Sequence, residues 1–179
     1  EDYAKVGKLN FEVLHVAEFL SRMMAEGKVE FKKDLDMKVT YHDPCHLGRA
    51  SGVYAEPRNI LKALPGVELV EMERIYHNSR CCGAGGGLKA GYPEIQQKMT
   101  IERIQEAERT GATELVSACP FCYQGLQIGI TALKSPIVMR DLTELVALAM
   151  GLPSLRKSAD GGAQPDHGEA RPSVSRRAG

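Results

Sequence analysis

Five cysteines stand in the middle of the chain, at Cys45, Cys81, Cys82, Cys119 and Cys122. An odd number of thiols cannot all pair as disulfides, and a chain of 179 residues is long enough to bury a core without such cross-links. Thiolates are soft ligands that favour iron–sulfur clusters and zinc. The cysteines therefore predict a metal site in a protein kept in a reducing compartment.

The spacing of the cysteines argues for a metal group that takes thiolates from several sides. Gaps of 35 and 36 residues separate Cys45 from the Cys81-Cys82 pair, and that pair from the Cys119-x-x-Cys122 motif. A Cys-x-x-Cys pair at a helix start closes on one metal atom, and the helix dipole stabilises thiolate there. Adjacent cysteines point apart and suit a larger group. A zinc ion and a cubane cluster each take four ligands, so five converging thiols exceed both.

Hydrophobic periodicity predicts alternating strands and helices after an N-terminal amphipathic helix. That first helix uses apolar residues between Phe11 and Met24 and stops at Gly27. Strands are predicted at 37–42, 67–72, 114–117 and 136–139, and helices at 56–64, 93–110, 121–133 and 141–150. Such alternation is typical of an α/β fold, so we expect a parallel sheet of about four strands with helices on both faces.

Every cysteine follows the carboxyl end of a predicted strand. Cys45 comes after the first strand, the Cys81-Cys82 pair after the second, and the Cys119-x-x-Cys122 motif after the third. In open parallel sheets, ligands bind beyond the carboxyl ends of the strands. Three loops that are distant in sequence are therefore expected to bring all five thiols to one edge of the sheet.

Composition divides the chain into three parts. Residues 1–36 are predicted to hold the N-terminal helix and a charged linker, 37–151 the cysteine-rich domain, and 152–179 a disordered tail rich in glycine, proline and serine. Lysine plus arginine and aspartate plus glutamate each number 23, so the basic excess typical of nucleic-acid binding is missing. No apolar run reaches about 18 residues, so direct membrane insertion is not expected.

Three motifs carry a resemblance to a known family. They are YHDPCHLGR around Cys45, CCGAGGG from Cys81 and CPFC from Cys119. In this order and spacing they resemble the CCG cysteine-rich domain of the heterodisulfide reductase catalytic-subunit family, over roughly residues 10–150. Because such subunits usually hold two of these domains and ferredoxin-like cysteine runs, we expect this chain, which begins at Glu1, to be the C-terminal part of a larger subunit.

The resemblance implies an iron–sulfur oxidoreductase. All five cysteines would hold a 4Fe-4S cluster of the noncubane type, and a disulfide would be reduced to thiols there. The implied partners are other redox subunits (ferredoxin-like, flavin or membrane cytochrome) and a small disulfide or thiol substrate. The expected location is the cytoplasm, on the inner face of the membrane through a partner.

Polar residues beside the cysteines are candidates for catalysis. His42 and His46 flank Cys45 and are suited to donating hydrogen bonds to its surroundings or moving protons. Arg49 is expected to offset thiolate charge or to attract an anionic substrate. His15 is predicted to be a packing histidine, and the charged run from Glu102 to Arg109 a solvated helix face.

The glycine loop after the adjacent cysteines is a candidate cofactor-binding element. Gly83, Gly85, Gly86 and Gly87 let the backbone turn its N–H groups toward sulfur, and such hydrogen bonds raise the potential of a cluster. The loop is not a nucleotide site, because Leu88 stands where both the dinucleotide fingerprint and the phosphate-binding loop require glycine.

Three other functions fit parts of the pattern. The chain would serve as an electron-relay subunit of a glycolate- or lactate-oxidase-type complex if no substrate reached the cluster. With zinc in place of iron it would be a stabilised domain that docks partners. Taken alone, Cys119-Pro-Phe-Cys122 also fits a redox-active dithiol between a strand and a helix.

Overall fold

The structure is a computed structural model and describes residues 10–153. From residue 154 onward, the predicted tail lies outside the described residues. The strands are β1 (Met37–Tyr41), β2 (Val67–Leu69), β3 (Glu114–Ser117) and β4 (Val138–Asp141). The helices are α1 (Val16–Ala25), α2 (Ala55–Ala63), α3 (Leu88–Gly91), α4 (Pro93–Glu108), α5 (Pro120–Leu133) and α6 (Leu142–Ala149). Within residues 10–153, none of these helices is long and apolar enough to cross a bilayer.

The four strands form one all-parallel sheet in the order β2-β1-β3-β4, which confirms the predicted α/β fold. β1 and β3 occupy the centre, where Val39 pairs with Leu69 on one side and with Glu114 on the other. All four carboxyl ends consequently point to the same edge of the sheet, as parallel pairing requires.

Helices cover both faces of the sheet, and the alternation of side chains along the strands divides the core in two. On one face, Val39, Tyr41 and Val116 pack with residues of α1, α2 and α6. On the other face, Leu115 and Met139 pack with residues of α4 and α5. The adjacent pair Leu115 and Val116 shows the division directly, because each is fully buried in a different cluster.

The first helix is shorter than its apolar pattern predicts. It begins at Val16 rather than near Phe11, because His15 caps it: the His15 ring accepts a hydrogen bond from the Ala17 N–H, and the Glu18 carboxylate accepts one from the His15 N–H. His15, predicted to be a packing histidine, is therefore the N-cap residue of this helix. Phe11 lies outside the helix and is 64% exposed.

Helices α4 and α5 approach each other closely through two glycines that sequence patterns did not single out. A Cβ atom on Gly125 would lie 2.7 Å from the Ala84 Cβ, and one on Gly129 would lie 2.9 Å from the Thr100 Cβ. Both distances are below normal contact, so only glycine fits there. The contact between Gly125 and Ala84 packs α5 against the loop that carries Cys82.

The prediction of a solvated face from Glu102 to Arg109 is wrong at two positions. Arg103 is fully buried, and Glu106 is 3% exposed. The burial is tolerated because the Arg103 Nη1 and a Glu106 carboxylate oxygen lie 2.9 Å apart and neutralise each other. Exposed charges remain elsewhere on the run, such as Glu102, which pairs with Arg80.

Candidate metal centre

Each thiol lies near the start of a helix or turn that follows a strand. Cys45 precedes a π-helical turn at His46–Ala50, after β1. The Cys81-Cys82 pair lies between a 3-10 turn at Tyr76–Asn78 and α3. Cys119 is the N-cap of α5, and Cys122 lies in the first turn of that helix. The three loops do converge at the carboxyl edge of the sheet, as the topology predicts.

The five thiols form one interacting group. The Cys82 and Cys122 sulfurs lie 3.3 Å apart in the buried part of the group. Cys81 interacts with Cys82, Cys119 interacts with Cys122, and the nearby Cys45 contributes to raising the pKa of Cys81. Cys45, Cys81 and Cys119 are half-buried, whereas the other two are buried. The two buried thiols, Cys82 and Cys122, therefore form the base of the group. The three half-buried thiols form its accessible rim.

The surroundings favour thiolate at two of the positions. Hydrogen bonds from Cys122 and Cys81, and further ones from His42 and the Ala84 N–H, lower the pKa of Cys82 far below that of an ordinary thiol. At the start of α5, a hydrogen bond from Cys122 and the backbone N–H groups of Phe121 and Cys122 lower the pKa of Cys119 to about 6. Thiolate is the form that binds metal.

The other two thiols of this network hold the protons. Hydrogen bonding to Cys82 and burial raise the pKa of Cys81, and hydrogen bonding to Cys119 and Cys82 raises the pKa of Cys122. Without a bound cation, the group therefore shares protons so that adjacent sulfurs are not all charged. A cationic metal group would remove this constraint, since it replaces the shared protons as the counter-charge.

The arrangement fits a group larger than one ion. Within residues 10–153, a single set of metal-ligand side chains has its ligand atoms all within 4.8 Å of one another: His42, Cys82 and Cys122. Cys45, Cys81 and Cys119 do not join that set, because each lies more than 4.8 Å from at least one of its ligand atoms. A cluster of several iron atoms takes thiolates from a wider region, and its ligands are sulfur. The residues therefore fit an iron–sulfur cluster.

His42 is buried at the base of the group. It is 1% exposed, its Nδ1 accepts a hydrogen bond from the Arg103 Nε at 3.1 Å, and a ring nitrogen lies within 4.8 Å of the Cys82 sulfur. Burial lowers the pKa of His42, the bond to Cys82 opposes that change, and the nearby Arg103 charge adds to it. His42 therefore lies beside the Cys82 thiol, and the roles expected for it stay predictions.

His46 and Arg49 lie on the turn after Cys45 and face different surroundings. His46, together with Leu47, Cys119 and Pro120, lines an open, mostly apolar cavity of about 410 Å³. Arg49 donates a hydrogen bond from Nη2 to the Ser79 carbonyl at 3.1 Å, so it stabilises the loop segment that precedes Cys81. The structure thus places His46 and Cys119 in the lining of one cavity. Arg49 instead contacts the loop before Cys81.

One backbone N–H group of the glycine loop is directed at a thiol, and the cofactor-binding role of the other glycines stays a prediction. The Gly83 N–H donates to the Cys81 sulfur at 3.3 Å, and its φ of 70° lies in the left-handed region. Gly86 and Gly87 also have positive φ values, of 62° and 79°. Gly85 does not, and a Cβ there would meet open space. The steric argument for glycine therefore holds at Gly83 and does not extend to Gly85.

We expect Gly83→Ala to lower the metal content of the purified chain, whereas Gly85→Ala leaves it near wild type. A methyl group at Gly83 costs about 1 kcal/mol through its positive φ and would also lie 3.2 Å from the Gln96 Cγ. The comparison needs only metal analysis and thermal unfolding of the two variants. Equal metal content in both would show that the loop tolerates a side chain at either position.

Two buried arginines beside the centre were not found from the sequence. Arg103 contacts His42, and Arg58 forms a two-oxygen hydrogen bond with Asp43, two residues before Cys45. One signal existed for Arg103. It shares a helical face with Gln96, Thr100 and Ala107, which are all buried, at spacings of seven, three and four residues.

Comparisons with known proteins agree with the geometry. Residues 39–127 match the family described as the CCG cysteine-rich domain, and this range contains all five thiols. One subunit of the dihydromethanophenazine:CoB–CoM heterodisulfide reductase of Methanosarcina barkeri is 49% identical over 145 residues, which cover 81% of this chain and 36% of that protein.

Two further relatives are redox proteins by name. One subunit of the CoM/CoB fumarate reductase of Methanothermobacter marburgensis is 41% identical over 122 residues, or 68% of this chain and 24% of that protein. A probable iron–sulfur-binding oxidoreductase of Bacillus subtilis is 39% identical over 138 residues, or 76% and 20%. The chain spans about a third or less of the curated relatives it matches. Through residues 39–127, it belongs to the family of CCG cysteine-rich domains.

Proposed function

We infer that this chain is the iron–sulfur part of an oxidoreductase of the heterodisulfide reductase type, active as a piece of a larger subunit or complex. The observation that carries the proposal is the convergence of the cysteine loops at the carboxyl edge of the sheet, where the Cys82 and Cys122 sulfurs lie 3.3 Å apart and the other three thiols interact around them. The names of its relatives, which are two reductase subunits and an iron–sulfur oxidoreductase, support a redox role over a docking role.

In this proposal Cys45, Cys81, Cys82, Cys119 and Cys122 hold a 4Fe-4S cluster of the noncubane type. When bound, such a cluster would supply one-electron redox chemistry and a site that accepts sulfur. Cys82 and Cys122 would hold it from the buried side of the site, and the three half-buried thiols from the side that solvent reaches. Substrate sulfur therefore approaches from the side of the rim.

The remaining residues of the site bind, orient and donate protons. Reduction of a disulfide takes up two electrons and two protons and releases two thiols. The electrons come from partner redox subunits. His46 lies in the cavity beside Cys119 and is placed to supply a proton to a departing thiol there. His42 is too deeply buried for that exchange and serves the ligand sulfur instead.

The location in this proposal follows from the partners. Redox subunits of this type receive electrons from a ferredoxin-like, flavin or cytochrome partner, and we place the chain in the cytoplasm against such a partner at the inner membrane face. The five unpaired thiols suit that reducing compartment.

One observation favours a second candidate, a zinc-stabilised docking domain. His42, Cys82 and Cys122 would give zinc three ligands within 4.8 Å of one another. A structural zinc site is completed by a fourth ligand, which a neighbouring thiol would supply. This arrangement leaves two of the five cysteines without a metal role, and it needs the His42 ring to release its hydrogen bond to Cys82.

Metal and sulfide analysis after anaerobic purification of the chain decides between the two. We expect a brown protein with about four iron atoms and four acid-labile sulfides per chain. The oxidised and reduced states should then differ in EPR spectra. A colourless chain with about one zinc ion and no sulfide would overturn the redox proposal.

A further inference from the structure

The buried guanidinium of Arg103 lies one hydrogen bond behind the metal centre. Its Nε donates to the His42 Nδ1 at 3.1 Å, and both side chains are almost completely buried. A ring nitrogen of His42 in turn lies within 4.8 Å of the Cys82 sulfur. A continuous chain of contacts therefore runs from α4 through the end of β1 to a ligand sulfur, with no exposed member.

The chemistry of these groups fixes the direction of each hydrogen bond. A guanidinium has only donors, so the His42 Nδ1 that receives its N–H must carry a lone pair. The ring proton is then on Nε2, the nitrogen that is left to face Cys82. His42 consequently acts as an N–H donor to that sulfur.

Other contacts hold Arg103 in this orientation. Its Nη1 donates to the Arg74 carbonyl at 2.9 Å and pairs with Glu106, and its Nη2 donates to the Ser79 Oγ at 3.1 Å. Glu106 is fixed in turn, because the Arg74 N–H donates to it at 2.6 Å. Each nitrogen of the Arg103 guanidinium is therefore engaged, and its Nε cannot turn away from His42 without breaking several bonds.

We propose that Arg103 is a positioning residue of the metal centre: it keeps the ring proton of His42 on Nε2, so that His42 donates to the Cys82 sulfur and raises the reduction potential of the centre. A hydrogen bond to a ligand sulfur stabilises the reduced, more negative state. This inference rests on the proposed function, because it assigns a role to residues behind the thiols that hold the cluster.

A double variant tests the role without leaving a buried charge unpaired. Arg103→Gln combined with Glu106→Gln removes one positive and one negative charge, so the net charge of the chain is unchanged. We expect the equilibrium constant for one-electron reduction to fall about tenfold, which is about 59 mV in the midpoint potential. Potentiometric titration of cluster-loaded chains measures this. An unchanged or raised potential would overturn the proposal.

The path through His42 is tested by a thermodynamic cycle. In a His42→Phe background, the Arg103→Gln/Glu106→Gln change should no longer shift the potential, because Arg103 acts only through the imidazole. A shift of full size in that background would mean that Arg103 acts directly by its charge, and the positioning role would be wrong. Arg140→Gln is the matched control, since it removes a paired arginine whose partners are Glu114 and Glu144.

The wild-type chain alone gives an independent test if the double variant fails to fold. Nitrogen-15 NMR spectra of the histidine-labelled, oxidised chain distinguish a ring nitrogen that carries a proton from one that does not. The signals missing in His42→Phe identify His42 among the five histidines. We expect a proton on Nε2 and a bare Nδ1, and a proton on Nδ1 would overturn the proposal. Absence of iron and sulfide from the wild-type chain is the separate result that defeats the proposed function.

Discussion

Replacing Cys82 by serine should remove most of the iron and acid-labile sulfide from the purified chain. Cys82 is the most connected of the five thiols, because it lies 3.3 Å from Cys122 and also interacts with Cys81 and His42. It is 3% exposed, so water cannot take the place of the lost ligand easily. A serine hydroxyl is a harder ligand than a thiolate and suits iron–sulfur clusters poorly.

The same measurement on Cys45→Ser should show a smaller loss. Cys45 is half-buried at the rim, where solvent or another ligand can reach the vacated position. Met72→Leu is the matched control, because it removes a sulfur atom from the same apolar cluster as Cys82 but changes no thiol. Wild-type iron and unaltered visible and EPR spectra in Cys82→Ser would exclude this residue as a ligand.

The order of elements was predictable because the apolar pattern is strong in the core strands. Val39 and Tyr41, two residues apart, point to one face, and Leu115 and Val116 point to opposite faces of a strand buried on both sides. Such local patterns of apolar residues indicate strands without any knowledge of the tertiary contacts. The convergence of the thiols then follows from parallel pairing, without any side-chain detail.

Helix boundaries were less predictable, because capping groups decide them rather than apolar spacing. The first helix begins at Val16 because His15 and Glu18 cap it, although apolar residues continue upstream. At the other end of the domain, Asp141 has a recognisable capping role: its carboxylate accepts a hydrogen bond from the Thr143 N–H at 2.8 Å. Aspartate is a common capping residue and histidine is not, so only the second start was visible in the sequence.

The contacts behind the thiols were not predictable, because they join positions far apart in the chain. Arg103 contacts His42 across 61 positions and Ser79 across 24. A charged residue on a helix is usually solvated, and only the assembled partners make its burial tolerable. The spacing of its helix neighbours shows that Arg103 lies on a buried face, but it does not show what the guanidinium binds.

The other buried arginine has a structural role that is equally long-range. Arg58 donates to both oxygens of Asp43 at 2.7 and 2.9 Å and to both oxygens of Glu71 at 2.7 and 3.1 Å. Its guanidinium also lies over the ring of Tyr76, 4.2 Å from the centroid. The Tyr76 N–H donates to Asp43, so this network ties the loop before Cys45 to the loop before Cys81.

We therefore expect Arg58→Met to cost about 3–5 kcal/mol of the free energy of unfolding, the usual loss when one partner of a buried ion pair is removed. The side chains of Arg58 and Asp43 are only 4% and 3% exposed, so the remaining carboxylate would be buried without a counter-charge. Chemical denaturation of the variant and the wild type, both under the same metal loading, measures the difference.

Two comparisons separate the network from a general effect of losing an arginine. Arg140→Met should cost less, because Arg140 is 19% exposed and water can solvate the carboxylates that it leaves. Adding Asp43→Asn to Arg58→Met should recover part of the loss, since the uncompensated charge is then removed with its partner. If Arg58→Met costs no more than Arg140→Met, the network contributes little to stability. In that case the hydrogen bond from Arg49 to the Ser79 carbonyl would hold the two cysteine loops together.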